Sequence, residues 1–183
     1  MAPGPFEQAL GESFERLPAV VQASHRGGEV FRLTGTAKVE GAAGFARIVA
    51  ALFGLPGSQD RAGVIVTKTR VGAGQEIWKR QIGKARFRSR IVFAGPNRVE
   101  ESFGLFTVGL ELSADEHCLT MKIDGWRIGP VPLPGFLAPR SVATESVSAA
   151  GLFAFDVPIS APLLGRLVHY RGELRPQSKE RAP

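Results

Sequence analysis

The chain has 183 residues, of which 44% are hydrophobic and 22% charged, and its mean hydropathy of +0.02 is ordinary for a globular protein. This length predicts one domain with a sizeable core, which we expect over residues 1–176, followed by a frayed polar tail at 177–183. Cys118 is the only cysteine, so an internal disulfide framework is excluded and a reducing compartment is favoured.

The first residues do not have the pattern of a secretory signal. MAPGPFEQALGESFERL places no basic region before an apolar stretch. The longest apolar segment, residues 45–55, contains Arg47 and is too short to cross a bilayer. We therefore expect no transmembrane segment and a cytoplasmic location.

Two helices are predicted before the first strand. The first begins at Pro5, and its apolar side chains recur at helical spacing: Phe6, Leu10, Phe14 and Leu17. The second, AVVQASH, is predicted to end at Gly27 and Gly28. His25, near the end of that helix, is expected to be a packing or capping residue rather than a base.

A third helix is predicted in GFARIVAALFGLPG, which Gly54 and Pro56 end. Its apolar stripe consists of Phe45, Ile48, Val49, Leu52 and Phe53. Because its polar side is small, we expect this stripe to pack on a sheet rather than bind a membrane.

The remaining sequence consists of extended segments separated by turn residues. EVFRLTGTAKVEG is strand-like, and from Gly63 onward strands follow one another without intervening helices. The predicted fold class is α+β, mainly β. We expect an antiparallel meander curled into a barrel or half-barrel, with the N-terminal helices and one short helix packed on it.

The segment GWRIGPVPLPGFLAP, residues 125–139, interrupts this pattern. Pro130, Pro132 and Pro134 remove backbone donors, so the strand that ends at Trp126 and Ile128 is not followed by another central strand. We predict an extended crossing over one end of the sheet, which carries Val131, Leu133, Phe136 and Leu137. It is either a rigid cover over the core, which we favour, or a rigid rim around a pocket.

Strand alternation turns some charged residues inward. In EIWKRQI, Trp78, Arg80 and Ile82 share a face, and a buried guanidinium needs a carboxylate partner, for which Glu101 is the candidate. In VEESFGLFTVGLEL, strict alternation would turn Val99, Glu101 and Phe103 away from the core. A bulge near Gly104 would reverse this and place all three on the core side. We predict that bulge.

Glu145 and Arg171 form a second candidate pair. Either pair can be an internal ion pair that fixes strand register, which we favour, or a polar spot inside a ligand cavity. Arg86, Arg88 and Arg90 alternate with Phe87, Ser89 and Ile91, and they predict a basic outer face rather than a nucleic-acid site.

Catalytic and metal-binding motifs are missing from the sequence. It contains no nucleophile elbow, P-loop or zinc-protease motif, and His25, His117 and His169 lack metal-ligand spacing. We expect no cofactor, no metal and no catalytic residue. Nothing in the sequence supports an enzyme.

Several short patterns occur in a familiar order. They include Trp78 and Arg80 in a W-x-R pattern, Glu101 and Gly104 in an E-x-x-G pattern, and Trp126 and Arg127 in the 125–139 segment. Further on come Glu145, FAFDV, and Tyr170 with Arg171 in PLLGRLVHYRGEL. In this order the sequence resembles domain of unknown function family 4166. Glu173 is a small departure, because the family tends to have an aromatic residue there.

The resemblance implies a bacterial family without an established activity. Its members occur alone or attached to saccharopine-dehydrogenase-like proteins, which implies an accessory role beside an oxidoreductase. The candidate ligand-binding or structural cluster comprises eight inward or family-pattern residues: Trp78, Arg80, Glu101, Trp126, Arg127, Glu145, Tyr170 and Arg171.

Two functions are expected from these observations. The first is a non-catalytic binding domain for a hydrophobic or lipid-like small molecule in a sheet-lined cavity. The alternative is an interaction module for a partner oxidoreductase. Nucleic acid is an unfavoured partner.

Overall fold

A computed structural model describes residues 3–26, 29–52 and 54–177. Three short α-helices and two 3₁₀ helices accompany the strands: α1 (Pro5–Leu10), a 3₁₀ helix (Gly11–Arg16), α2 (Ala19–Arg26), α3 (Ala46–Leu52) and a second 3₁₀ helix (Gly135–Leu137). The predicted helix ends at Gly27 and Gly28, the position of Phe53, and the tail from 178 to 183 lie outside the described residues.

Eleven strands form one antiparallel sheet: β1 (Val30–Gly41), β2 (Gln59–Gly72), β3 (Gln75–Ile82), β4 (Ala85–Gly95), β5 (Arg98–Phe103), β6 (Phe106–Ala114), β7 (Cys118–Ile128), β8 (Val131–Pro132), β9 (Val142–Val147), β10 (Phe153–Ala161) and β11 (Gly165–Pro176). The strand order is β6-β5-β4-β3-β2-β1-β11-β10-β9-β7, and pairing between β6 and β7 closes a ring of ten strands. The predicted mainly-β α+β class and the antiparallel barrel are confirmed. The two-residue β8 only extends the edge of β7.

Every connection between consecutive ring strands reverses direction, so the turns divide between two ends of the barrel. One end carries α1, the first 3₁₀ helix and α2, and α1 contacts β4, β5 and β6 while α2 contacts β9 and β10. We call this the covered end. The other carries the β3–β4, β5–β6 and β10–β11 turns, the β1–β2 connection and the 129–141 segment. We call it the open end.

The N-terminal helices bury the apolar stripe that the sequence predicted. Pro5 begins α1, and α1 ends at Gly11, where φ is 51°. The chain continues as a 3₁₀ helix, so the predicted single helix to Leu17 is divided in two. Phe6, Phe14 and Leu17 are all buried against the strands.

The face that α3 buries is not the predicted one. Ala46 and Ala50 are its buried residues, and α3 contacts β11, whereas Phe45 is 68% and Ile48 58% exposed. Small alanines allow the helix to approach the strand closely, and the larger apolar side chains are turned away. The expectation that Phe45 and Ile48 pack on the sheet is therefore wrong.

The predicted bulge near Gly104 is also wrong. Gly104 and Leu105 form a two-residue turn that joins β5 to β6, with Phe103 opposite Phe106 and a φ of 62° at Gly104. Glycine at the first central position is typical of such tight hairpins. The turn nevertheless places Val99 and Glu101 on the core side, as the bulge was expected to do. These residues are 0% and 9% exposed. A bulge does occur in the β6–β7 pairing that closes the barrel, where Asp124 is the extra residue in β7.

Candidate ligand-binding site

The covered end of the barrel is sealed by aromatic packing. Phe6 of α1 stacks on Trp78 of β3 with ring centroids 5.6 Å apart, and its ring lies 4.2 Å from that of His25. Phe6 and Trp78 are 1% and 4% exposed. The helices therefore close this end over the inward-facing side chains of the strands.

Seven ionisable side chains lie beneath the helices, and we call them the polar cluster: His25, Lys68, Arg70, Glu76, Arg80, Glu101 and Glu145. With a neutral His25, they comprise three cations and three carboxylates, so the formal charges balance. Such balance is needed because an uncompensated charge in the interior is very costly.

His25 and Glu145 form the contact closest to the helices. The Nε2 of His25 lies 2.5 Å from the Oε2 of Glu145, and the two side chains are 0% and 7% exposed. Burial, reinforced by the charge of Lys68, lowers the pKa of His25, so the ring is neutral at pH 7. Burial alone would raise the pKa of Glu145, but His25 and Lys68 outweigh it and lower the pKa. Nε2 then donates its proton to an ionised carboxylate.

Lys68 is buried without a carboxylate in direct contact among the described residues. It is 4% exposed, its Nζ lies 4.0 Å from the centre of the Trp78 ring, and the Oγ of Ser24 is 3.5 Å away. A desolvated ammonium over an indole face gains cation–π attraction. Burial lowers the pKa of Lys68, while Glu145 and Glu76 act in the opposite direction.

Glu76 connects Trp78 to the cluster. Its Oε2 accepts a hydrogen bond of 2.8 Å from the indole Nε1 of Trp78, and its Oε1 lies 3.4 Å from the Nη2 of Arg70. Because the indole N–H is satisfied in this way, Trp78 can be buried without the loss of a hydrogen bond.

Arg80 and Glu101 are paired across the strands β3, β4 and β5. Nη1 of Arg80 donates to Oε1 of Glu101 at 2.8 Å and to Oγ of Ser89 at 2.8 Å. The side chains of Arg80 and Glu101 are 13% and 11% exposed. This is the pairing predicted from strand alternation.

The barrel interior beyond Arg80 is apolar and partly exposed to solvent. Phe87 lies opposite Arg80, Val108 opposite Glu101, and Val157 opposite Tyr170, so their side chains share the inner face with those partners. All three are only partly buried, as is Ile123. We name this the open end because these inward-facing side chains keep exposed surface, although Val39, Ile82 and Val168 are buried at the same end.

Tyr170 lies on the inner face at the border between the polar and apolar parts. Its ring centroid is 6.1 Å from that of Phe155, and the described residues provide no hydrogen-bond partner for its hydroxyl. The ring is surrounded by protein yet retains some exposed surface. Burial raises the pKa of Tyr170 to about 12, so the phenol is neutral. It presents a free donor and acceptor to the interior.

Three of the predicted cluster residues lie elsewhere. Arg171 is exposed and contacts Glu40 at 3.5 Å, so the predicted Glu145–Arg171 pair is wrong. Arg127 is half-exposed and pairs with Glu100 at 2.8 Å. Neighbouring residues in a strand face opposite sides, so Arg171 points outward when Tyr170 points inward.

Trp126 is the third of these residues. It lies opposite Val108 in β6, near the open end, and is partly exposed. Its Nε1 donates to the carbonyl of Pro134 at 3.0 Å, so it holds the 129–141 segment rather than joining the polar cluster.

The proline-rich segment does not cover the core. Val131 pairs with Ile128 in a short hairpin, and Val131, Phe136 and Leu137 are 57%, 73% and 43% exposed. A cover would bury these side chains, so the preferred interpretation of the sequence is wrong. The segment instead projects apolar groups beside the open end.

Sequence reasoning missed four cluster members: His25, Lys68, Arg70 and Glu76. A signal existed for three of them, since Lys68 and Arg70 alternate in phase with Val66, and Glu76 is in phase with Trp78. His25 gives no such signal, because its contact with Glu145 joins residues 120 positions apart. The basic outer face is as the alternation predicted, with Arg86, Arg88 and Arg90 exposed.

None of the helices in the described ranges is long and apolar enough to cross a membrane. The sequence model of domain of unknown function family DUF4166 matches residues 17–174, a range that contains α2 and nearly all of the barrel. No curated protein and no solved structure matches the chain. Since the match covers most of the sequence, the protein belongs to the DUF4166 family, as the order of its short motifs predicted.

Proposed function

We propose that the chain is a non-catalytic binding domain that takes a small amphipathic molecule through the open end of the barrel. The observation that carries this proposal is the partial exposure of apolar side chains that face the interior, with Phe87, Val108 and Val157 as examples. A ring of ten strands is wider than the eight-stranded barrels that already hold one small ligand. An apolar space with a few polar groups at its floor is typical of ligand sites.

The polar floor supports a ligand with an uncharged polar head. Tyr170 offers a neutral hydroxyl, and Arg80 is already neutralised by Glu101 at 2.8 Å. A full negative charge on the ligand would upset the balance of the polar cluster. A carbonyl or hydroxyl group at the end of an apolar chain or ring system fits this floor better.

Native mass spectrometry of freshly purified protein tests the proposal directly. We expect a species whose excess mass is released by organic solvent. Titration with a fluorescent apolar dye provides a second measurement, in which we expect enhanced, saturable emission at one site. A single apo mass together with an absence of saturable dye binding would reject a ligand site in the barrel.

Matched variants locate the site. Ile123→Trp fills the inner face, whereas Lys122→Trp adds the same ring to the exposed outer face of the same strand. We expect dye binding to be lost in the first variant and kept in the second. Tyr170→Phe retains the apolar wall and removes the hydroxyl, so a polar-headed ligand should bind several-fold more weakly, as expected for about 0.5–1.5 kcal/mol per hydrogen bond. Equal binding by the two Trp variants would place the dye outside the barrel.

The alternative function is an interaction module for a saccharopine-dehydrogenase-like oxidoreductase in the cytoplasm. The exposed Phe136 and Leu137 favour it, because contiguous apolar patches mark interaction sites. Gel filtration of the chain with such an oxidoreductase tests this function. Co-elution that Phe136→Ser abolishes and Ile123→Trp preserves would favour it over ligand binding.

A further inference from the structure

Exposed apolar side chains are concentrated around the open end. Nine of the thirteen large apolar residues that the described chain exposes lie in the connections and strand ends at that end. Six of them, which we call the rim, lie in the β5–β6 turn, at or after the end of β7, and in the β10–β11 turn: Leu105, Ile128, Val131, Phe136, Leu137 and Leu163. Leu163 is 100% exposed, so the tip of the β10–β11 turn is an apolar group in water.

These side chains are held in fixed positions by the backbone. Gly129 N donates to the carbonyl of Leu105 at 2.8 Å, which ties the β5–β6 turn to the β7–β8 turn. Trp126 holds Pro134 by its hydrogen bond of 3.0 Å, next to the 3₁₀ helix that carries Phe136. Leu163 has a φ of 66°, a conformation that a leucine rarely adopts. The apolar tips are therefore displayed on a structured rim.

Cations accompany the apolar tips. Lys84 in the β3–β4 turn, Arg61 at the start of β2 and Arg140 before β9 are exposed at this end, and within the described residues none of them has a carboxylate within 4.0 Å. Asp60 is the neighbouring exposed acid. The rim thus combines unpaired positive charge with separate apolar tips.

We propose that the open end docks on the surface of an anionic lipid bilayer. Apolar tips on several turns can enter the headgroup region while lysine and arginine side chains are attracted to the lipid phosphates. Exposed apolar patches mark either protein or membrane interaction sites, and the unpaired cations at this end match the phosphates of an anionic bilayer. Charge complementarity therefore favours the bilayer.

Docking in this orientation turns the apolar interior toward the membrane. An apolar ligand could then pass between bilayer and barrel without crossing bulk water. This consequence rests on the proposed function, but the docking itself does not, because the rim residues lie outside the interior.

Vesicle co-sedimentation tests the docking. We expect the protein to sediment with phosphatidylcholine vesicles that contain phosphatidylserine, more weakly with pure phosphatidylcholine, and progressively less as salt is added. The double variant Phe136→Ser with Leu163→Asn removes two apolar tips, and asparagine tolerates the backbone conformation at 163. We expect it to lower the vesicle partition coefficient by about tenfold or more, because two apolar insertions are lost.

Matched controls separate this inference from the function proposed above. Val30→Thr with Val71→Thr removes exposed apolar surface at the covered end and should leave sedimentation unchanged. Ile123→Trp should lose dye binding and keep vesicle binding, while the rim variant should do the reverse. Because Phe136 and Leu163 are exposed, we expect the rim variant to unfold at the same denaturant concentration as the wild type.

Two results would overturn the docking proposal. One is an absence of sedimentation with either vesicle at low salt, together with a protein complex in gel filtration that the rim variant abolishes, which would identify the rim as a protein interface. The other is equal sedimentation of the wild type and the rim variant, which would mean that the tips do not enter the bilayer.

Discussion

Along β7 and β10, the inward-facing side chains near the covered end of the barrel are buried, whereas those nearer the open end are partly exposed. Leu119 and Ile123 lie on the inner face of β7, yet Leu119 is 0% exposed and Ile123 keeps accessible surface. Phe153, 3% exposed, and Phe155 differ in the same way along β10. In these strands the two ends therefore differ in burial and not in the type of side chain that faces inward.

The difference arises from the helices. α1, the first 3₁₀ helix and α2 add Phe6, Phe14 and Val21 to the covered end, and α2 brings His25 into contact with a strand carboxylate. At the open end, the segment that the sequence suggested as a cover turns Val131, Phe136 and Leu137 outward. The helices therefore complete a buried core at one end, while part of the inner face stays exposed at the other. Variants at the two ends should accordingly have very different effects on stability.

The largest effect is expected for Glu145→Ala at the covered end. The substitution leaves His25 without its partner and removes one of the two carboxylates, Glu145 and Glu76, that compensate the charge of Lys68. Breaking a buried pair in this way costs about 3–5 kcal/mol in the free energy of unfolding. Urea denaturation followed by circular dichroism measures this loss.

The control for this prediction is Glu100→Ala, which breaks the half-exposed contact with Arg127. Pairs of that kind contribute about 0–1 kcal/mol, so the control should be nearly as stable as the wild type. Similar losses in both variants would contradict the view that burial under the helices distinguishes the two ends.

An intermediate effect is expected for Arg80 and Glu101, which lie between the two ends. A double-mutant cycle with Arg80→Met and Glu101→Gln should give a coupling energy of about 0.5–3 kcal/mol, because the groups touch and are mostly buried. The exposed pair Arg166–Glu40 provides the comparison cycle, for which we expect about 0.2–1 kcal/mol. Zero coupling between Arg80 and Glu101 would mean that each is stabilised by other partners.

Much of the fold could be predicted from the sequence because alternation reports which strand face is inward. Trp78, Arg80 and Ile82 share the inner face as predicted, and the antiparallel barrel follows from strands that are joined by turns without helices. The same rule could also have excluded Arg171, since it and Tyr170 are adjacent and cannot both point inward. The family pattern, unlike the strand period, does not distinguish inward-facing from outward-facing residues.

The remaining features depend on information that is not local. Alternation cannot show which end of a barrel a helix covers, so it could not distinguish Leu119 from Ile123. The partner of Glu145 lies on a helix 120 residues away, and no spacing rule connects them. For α3, the large apolar side chains were predicted to face the sheet, but the helix buries its small alanines, Ala46 and Ala50, instead.

The smallest of the three effects is a pH dependence that originates at the covered end. The pKa of His25 is lowered by burial and by Lys68, so near and below pH 6.5 the unfolded chain binds a proton there that the folded chain does not. Stability should therefore fall as the pH decreases below about 6.5, by at most about 1.4 kcal/mol per pH unit from this group. The lowered pKa of Glu145 extends the loss below about pH 4.5, because the unfolded chain again binds the proton first.

The free energy of unfolding, measured by urea denaturation between pH 7 and pH 5, checks this dependence. His25→Gln keeps a hydrogen-bond donor for Glu145 and removes the titrating ring, so it should flatten the slope across this range. His117→Gln, at an exposed turn position, should retain the wild-type slope. If the slope persists in His25→Gln, the proton is bound elsewhere, and the pH response of the protein does not come from the helix-covered end of the barrel.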